Sequence, residues 1–378
     1  MNTFQRVGKL IGNGIRYRYL KKTGHPYRLE AISLEITHRC ICQCSMCNIW
    51  KIPAHVQDLA FTDWLKLLSS PELQYLKELD LTGGEPFLRD DLGKLLQEIC
   101  DRQPTDFPGL RTVAITTNGI LTERILNGTR EIIAPLRDRG IDLVLACGMD
   151  GVGDLHDRVR NYPGAWQRLQ ETLAGLYSLR KENPNLVLGI KTTVVPLNAH
   201  DLDRIADYAA EHGLFTIISP RIITSNRFKN SDREAELRFR PEELEMLIRF
   251  YEGPQFAWSG HRETLLGFLK NGRMKKNCSA GVNYLFVRHN GDVFACPILP
   301  VVLGNVTDQT LEEIYRSQAA ARFRKQVGKF PACSVCTEPG LERISWPLEG
   351  FALLGRMATM GTKGFDRLVR HMGIDKYL

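Results

Sequence analysis

"AISLEITHRCICQCSMCNIW", residues 31–50, sets a strand-like run directly before four cysteines, Cys40, Cys42, Cys44 and Cys47. The run opens a series. "FTDWLKLLSS" follows, with Phe61, Trp64, Leu65 and Leu68 on one helical face, and then come "LKELDLT" with "RDDLGKLLQEIC" and "LRTVAITT" with "LTERILNGTREIIAPLRDRG". "DLVLACGMDG" with "GAWQRLQETLAGLYSLRKE", "LVLGIKTTVV" with "AHDLDRIADYAAEHG", and finally "FTIISP" complete the pattern. Six βα-type units imply a parallel sheet with helices outside and right-handed crossovers. No seventh or eighth unit follows, so the expected fold is α/β, a partial (β/α)6 TIM-like barrel over residues 30–225.

Beyond that core, residues 226–275 read as a helical bridge. Residues 276–340 read as a small cysteine-rich α+β domain, with a hairpin in "YLFVRHNGDVFAC" turning at Asn290 and Gly291. Residues 1–29 form a basic amphipathic extension and 341–378 a basic helical tail.

The 378 residues are 43% hydrophobic and 25% charged, an ordinary globular composition that can bury a sizeable core. No 18-residue apolar run and no signal-peptide pattern occur, so a cytoplasmic location is expected. Ten cysteines in a reducing compartment argue for metal or cluster ligation over disulfides. The net charge of +7 gathers at the ends, with the middle of the chain near neutral. Phe4, Val7, Ile11, Ile15 and Tyr19 recur at helical spacing among Arg6, Lys9, Arg16 and Lys21, and the C-terminal segment is also apolar and basic. Such ends can lie on an anionic membrane surface or pack as helices on the barrel with their charges outside. No nucleic-acid partner is expected, because the charge is not interleaved into a recognised binding module.

Cys40, Cys44 and Cys47 stand as C-x3-C-x2-C at the carboxyl end of the first strand, where α/β folds build their sites. Each iron of a four-iron cube takes an outside ligand, so three thiolates leave one iron open to a small molecule. A structural zinc would need a fourth ligand, Cys42 or His38. Further strand ends carry their own signatures: Gly83 and Gly84, where a backbone must approach closely, then Glu85, a carboxylate acceptor for an ammonium group. "TTNG" ends the third strand, and "GMDG" ends the fourth, followed by "HDRVRNYPGAW".

Together these residues resemble the radical S-adenosylmethionine (SAM) superfamily: C-x3-C-x2-C from Cys40 to Cys47, GGEP from Gly83 to Pro86, TNG from Thr117 to Gly119, and Asp150-Gly151 with Arg160 downstream. The resemblance implies a 4Fe-4S cluster on Cys40, Cys44 and Cys47 whose open iron chelates SAM, with Cys42 as a spare. It implies that Gly83 and Gly84 line the methionyl groove, that Glu85 accepts from the SAM ammonium and that Arg160 pairs with its carboxylate. Thr117, Asn118 and Asp150 would lie at the same pocket. One departure is Gly148, where similar proteins often carry a serine that contacts the SAM ribose. Another is Met46, which stands where an aromatic residue is common and can pack on adenine through its polarizable sulfur. The chemistry implied is reductive SAM cleavage to a 5'-deoxyadenosyl radical that abstracts hydrogen from a substrate, with an electron donor such as ferredoxin or flavodoxin.

Cys278, Cys296, Cys333 and Cys336 form the second set. Their spacing, with Gly291 four residues before Cys296, resembles the opening of the SPASM auxiliary-cluster domain, as does "LGNVTDQTLEEIYRS". No cysteine follows Cys336 and position 342 is Glu, so one auxiliary 4Fe-4S cluster suited to electron transfer is implied, with zinc as the alternative. A small metabolite, a lipid or a partner-delivered peptide is the expected substrate, since a 30-residue N-terminal extension is too short for a leader-binding winged-helix domain. The reading of a different class is a non-catalytic iron-sulfur or zinc protein. Cys100 and Cys147 read as core residues, His156 and Asp157 as organisers of the loop after the DG turn, Asp292 as a hairpin residue, and Trp166 and Trp346 as packing groups.

Overall fold

The computed structural model describes residues 3–256 and 260–378; residues 1–2 of the N-terminal extension and 257–259 of the expected bridge lie outside the described residues. Six strands follow one another as parallel neighbours: β1 (Ala31–Thr37), β2 (Glu78–Gly83), β3 (Thr112–Thr117), β4 (Asp142–Gly148), β5 (Leu186–Val194) and β6 (Phe215–Pro220). The second cysteine region continues the same sheet. Strand β7 (Tyr284–Val287) pairs parallel with β1, and β8 (Asp292–Phe294) and β9 (Val302–Asn305) follow antiparallel. The spatial order is β6-β5-β4-β3-β2-β1-β7-β8-β9, and its two ends do not meet, so the barrel is partial and open, as expected. The hairpin turns where the Asn290-Gly291 signal puts it, with Gly291 at φ +89°.

Alternation along the strands separates the faces. Ile32, Leu34, Ile36, Leu79, Leu81, Val113, Ile115, Leu143 and Leu145 join the core with helical residues. These come from α2 (Phe61–Leu68), α3 (Leu92–Asp106), α4 (Thr122–Asp138), α5 (Asp154–Arg160), α6 (Ala165–Glu182) and α7 (Leu202–Glu211). The intervening positions face the lumen, and many are polar: Ser33, Glu35, Asp80, Thr82, Thr116 and Lys191. Ser33 lies opposite Asp80, and Gly148 opposite Lys191.

Two further helices, α8 (Pro241–Glu252) and α9 (Gly260–Asn271), follow β6. After the hairpin come α10 (Leu311–Arg316), α11 (Gln318–Gln326), α12 (Gly340–Glu349) and α13 (Phe351–His371). The tail closes the amino end of the sheet. Arg343 and Lys376 pair with Glu78, the first residue of β2; Lys376 also donates to Thr112 Oγ1 at 2.7 Å, and Tyr377 reaches Glu78 at 3.3 Å. The lumen therefore opens at the carboxyl ends of the strands, where the cysteine loop sits.

The N-terminal helix α1 (Thr3–Thr23) packs on α11, α12 and α13. Its buried residues are Leu10, Asn13, Gly14, Tyr17 and Leu20. Gly350, at φ +73°, admits it closely: a Cβ there would lie 2.0 Å from the Leu10 carbonyl oxygen. The apolar stripe read from the sequence, Phe4 to Tyr19, is thus not the packing face. Phe4, Ile11, Ile15 and Tyr19 point to solvent.

Candidate functional site

Strand β1 is buried along its whole length and delivers the cysteine loop at the carboxyl end of the sheet. The loop lies against the end of β2. Gly84 N donates to Thr37 O and Glu85 N to Arg39 O, both at 2.8 Å. A Cβ on Gly83 would sit 2.3 Å from the Thr37 carbonyl oxygen, and one on Gly84 2.2 Å from that of Arg39. The close approach these glycines permit is therefore first that of the chain's own cysteine loop. Asp58 anchors the start of the loop by accepting from His38 N at 3.1 Å and meeting His38 Nδ1 at 2.8 Å; His289 Nδ1, from the hairpin turn, lies 3.3 Å away. Burial opposes ionisation of Asp58, yet bonds from His289, Thr37 and His38 hold its carboxyl well below the usual range.

The four thiols of the loop are gathered together. Cys42 lies within hydrogen-bonding reach of both Cys40 and Cys44 and can donate its one S–H to either, so its own thiol is held far above the ordinary value. That bond from Cys42, helped by Arg160, draws the Cys44 thiol down to about 7 against the effect of burial. Burial pushes Cys47 up to about 12. The structure thus brings Cys42 among the three spaced cysteines rather than setting it apart.

Glu85 links the second and third signatures. Its fully buried carboxylate accepts from Thr117 Oγ1 at 2.9 Å, Asn118 N at 2.7 Å and Phe87 N at 3.1 Å. Burial outweighs these bonds and raises it to about 7. Asn118 Oδ1 caps Ile120 N, while its Nδ2 is buried without a partner. Across the site, Arg160 Nε lies 2.8 Å from Asp150 Oδ2, and Arg160 Nη1 lies 3.8 Å from Cys44 Sγ. Asp150 is itself fixed by Thr193 N at 2.8 Å, and burial raises its carboxyl while Arg160 opposes the rise. A Cβ at Gly148 would lie 1.9 Å from Arg160 Nη2. The guanidinium fills the space over that residue, which gives the departure at position 148 a physical reason.

The supporting residues behave as structural parts. His156 Nδ1 accepts from Asp150 N at 3.1 Å, and burial, with Arg160 nearby, lowers the ring to about 2, so it is neutral. Asp157 accepts from Trp166 N and Gly164 N and fixes the turn into α6. Cys147 is fully buried on the helix-facing side of β4, and Cys100 lies on the buried face of α3. Two features escaped the sequence reading. Glu35, fully buried in β1, pairs with Arg227 and, at 3.1 Å, with Arg288, two arginines distant in the chain. In the lumen, Asp80 and Lys191 make no ion pair among the described residues; burial raises the Asp80 carboxyl while Lys191 opposes it. The signal available was a charged residue on the lumen-facing alternation of an otherwise largely apolar strand.

Cys278, Cys296, Cys333 and Cys336 line one cavity of about 490 Å³, together with Lys276, Phe323 and Glu338. Burial pushes Cys278 up to about 12 and also raises Cys296 and Cys336. Tyr17 of α1 donates to Cys278 O at 2.7 Å, tying the N-terminal helix to this site.

Residues 34–209 match the radical SAM superfamily, and residues 278–338 match the SPASM domain, an iron-sulfur cluster-binding domain. The chain is 31% identical over 264 residues to the AdoMet-dependent heme synthase of Methanosarcina barkeri, covering 65% of this chain and 70% of that protein. It is 20% identical over 295 residues to the antilisterial bacteriocin subtilosin biosynthesis protein AlbA of Bacillus subtilis, covering 77% of this chain and 60% of that protein. In fold it is similar to SuiB of Streptococcus suis, solved with bound S-adenosylmethionine, with a TM-score of 0.57 at 13% identity over 87% of this chain and 76% of that one. Fold and matches together define a cluster-dependent α/β enzyme. The chain belongs to the radical SAM superfamily and carries a C-terminal SPASM domain.

Membership implies a 4Fe-4S cluster and SAM at the first site and iron-sulfur binding at the second. The residues fit both groups. The first site joins gathered thiols with a buried, unpaired donor on Asn118, and four thiols around a single cavity suit a cluster at the second. The non-catalytic reading gives way to an enzyme, and the zinc alternative to the cluster-binding domain.

Proposed function

We propose that this radical SAM enzyme uses Cys40, Cys44 and Cys47 as the ligands of its SAM-binding 4Fe-4S cluster, and Cys278, Cys296, Cys333 and Cys336 as those of one auxiliary 4Fe-4S cluster that transfers electrons. When bound, the first cluster supplies an electron to SAM, and cleavage yields methionine and a 5'-deoxyadenosyl radical. The chain's own residues bind and orient. Glu85 accepts from the SAM ammonium, Arg160, held by Asp150, pairs with the methionyl carboxylate, and Asn118 donates its free Nδ2. Gly83 and Gly84 keep the groove narrow, and Thr117 and Asp150 hold Glu85 and Arg160 in place. Proximity of these groups around one strand-end opening is the observation that carries the reading.

The substrate enters the lumen, whose amino end the C-terminal tail closes and whose Asp80 and Lys191 offer it an acidic and a basic side chain. Among the relatives are a heme synthase and a bacteriocin biosynthesis protein, and SuiB is known bound to its precursor peptide. A small metabolite, a lipid or a peptide is the substrate class, and a ferredoxin or flavodoxin the electron donor. The location is cytoplasmic, with peripheral contact to the inner membrane face through the basic ends. No helix among the described residues is long and apolar enough to cross a membrane. The test is anaerobic reconstitution followed by dithionite and SAM. 5'-Deoxyadenosine should form well above a Cys44→Ala control, and its absence despite an intact reducible cluster overturns the reading.

A further inference from the structure

Nine large hydrophobic residues are exposed among the described residues, and four of them lie on α1: Phe4 at 89%, Ile11 at 41%, Ile15 at 62% and Tyr19 at 57%. At 3.6 residues per turn these four fall within an arc of about 80°, opposite the face that packs on α11, α12 and α13. Most packed helices bury their apolar stripe and turn charge outward. Here both sides are apolar, and the outer one has no cover among the described residues.

The charges select the partner. Six lysines and arginines and no acid lie in α1. Lys22 stands at the end of the stripe, and Arg18 and Arg16 border it on either side, Arg18 braced by Glu349 at 3.5 Å and Arg16 by Tyr27 at 3.2 Å. Residues 358–363 of the neighbouring α13 are exposed, with Met360 and Lys363 and again no acid. A second copy docking through the same face would set two acid-free stripes, each edged by Arg16, Arg18 and Lys22, against each other. An anionic bilayer meets both demands, since its headgroups pair with the border cations while its acyl boundary takes the side chains of the stripe.

We infer that the outward face of α1 is a docking surface for an anionic lipid bilayer, which the helix meets lying flat, with Phe4, Ile11, Ile15 and Tyr19 inserted. The inference sharpens the peripheral location proposed above and needs no part of the catalytic assignment. Because α1 also holds Cys278 through Tyr17, the docked helix sits directly over the auxiliary site.

The experiment is flotation of the full-length, reconstituted protein with phosphatidylcholine vesicles, with and without phosphatidylglycerol. Wild type should float only with the anionic vesicles, and less as salt rises. The triple variant Phe4→Asp, Ile15→Asp, Tyr19→Asp should partition at least about tenfold more weakly, with unchanged iron content and unchanged 5'-deoxyadenosine formation in solution. Val302→Asp, an exposed apolar position on β9, should float like wild type. Failure of wild type to float, equal flotation on neutral vesicles, or an unaffected triple variant overturns the inference. So does a dimer in sedimentation that the triple variant loses. A catalytically dead protein that floats normally would sink only the catalytic reading.

Discussion

Cys40, Cys42, Cys44 and Cys47 come from one loop at the end of one strand, whereas Cys278, Cys296 and the Cys333–Cys336 turn converge from three places in the chain around a cavity. The first set needs only β1 and the contact of the loop with β2 to bring its thiols together. Closing the second set requires the β7–β8 hairpin, the turn before α12 and the support of α1, so its assembly depends on long-range folding. Their surroundings differ as well. Around the first loop stand Glu85, Asn118, Asp150 and Arg160, polar groups with capacity left for a ligand; around the second, the wall is mainly apolar apart from Arg273, Lys275, Lys276, Asn277 and Glu338. On the proposed ligand assignment, one site leaves a position open to a small molecule and the other surrounds its cluster.

The largest effect that tests this contrast comes from removing single thiols. Cys44→Ser should abolish 5'-deoxyadenosine formation and take away about four irons per chain. Cys333→Ser should lose a similar amount of iron from the other site while SAM cleavage persists. Cys42→Ser should keep both clusters, although its thiol lies between those of Cys40 and Cys44. Iron and sulfide counts beside the product assay check all three. If Cys42→Ser loses as much as Cys44→Ser, the three-ligand assignment fails.

A smaller effect should follow at position 148. Gly148→Ser places an atom 1.9 Å from Arg160 Nη2, so the guanidinium must leave its place between Asp150 and Cys44. Loss of the proposed charge-assisted bond from Arg160 to SAM should weaken binding by about tenfold or more. Equilibrium dialysis of SAM against the reconstituted variant measures it, and the auxiliary cluster's spectrum should stay unchanged. Unaltered affinity would show that Arg160 does not hold SAM.

Much of this was legible because its signals are local. The βα alternation, the Asn290-Gly291 turn and the strand-end signatures each occupy a few neighbouring residues. What stayed hidden is long-range. Nothing near residue 284 announces that β7 of the expected cysteine-rich domain will pair with β1 and extend the barrel's sheet. Helical spacing identified the α1 stripe but carries no sign of which side meets the protein. The partners of Glu35 lie at 227 and 288, beyond any pattern centred on "AISLEIT". Gly148 could be noticed from the sequence, yet its cause, a guanidinium twelve residues on, required the fold.

The smallest effect separates the sites by pH. Burial lifts Glu85 from the ordinary 4.5 to about 7. Between those values the folded protein keeps a proton there that the unfolded chain has released, so folding stability falls as pH rises through the window and levels off above it. The contribution is at most about 3 kcal/mol. Glu85→Gln cannot titrate, and although its amide faces the Asn118 N–H at a fixed cost, that cost does not change with pH. Urea unfolding of the cluster-free proteins at about pH 5 and about pH 8 should therefore show the variant gaining on wild type as pH rises. Cys278→Ala should show no such gain, because burial holds that thiol near 12, outside the window. Parallel slopes for wild type and Glu85→Gln would mean that water or a relaxed backbone already compensates the carboxylate, and that the first site is less closed than its hydrogen bonds indicate.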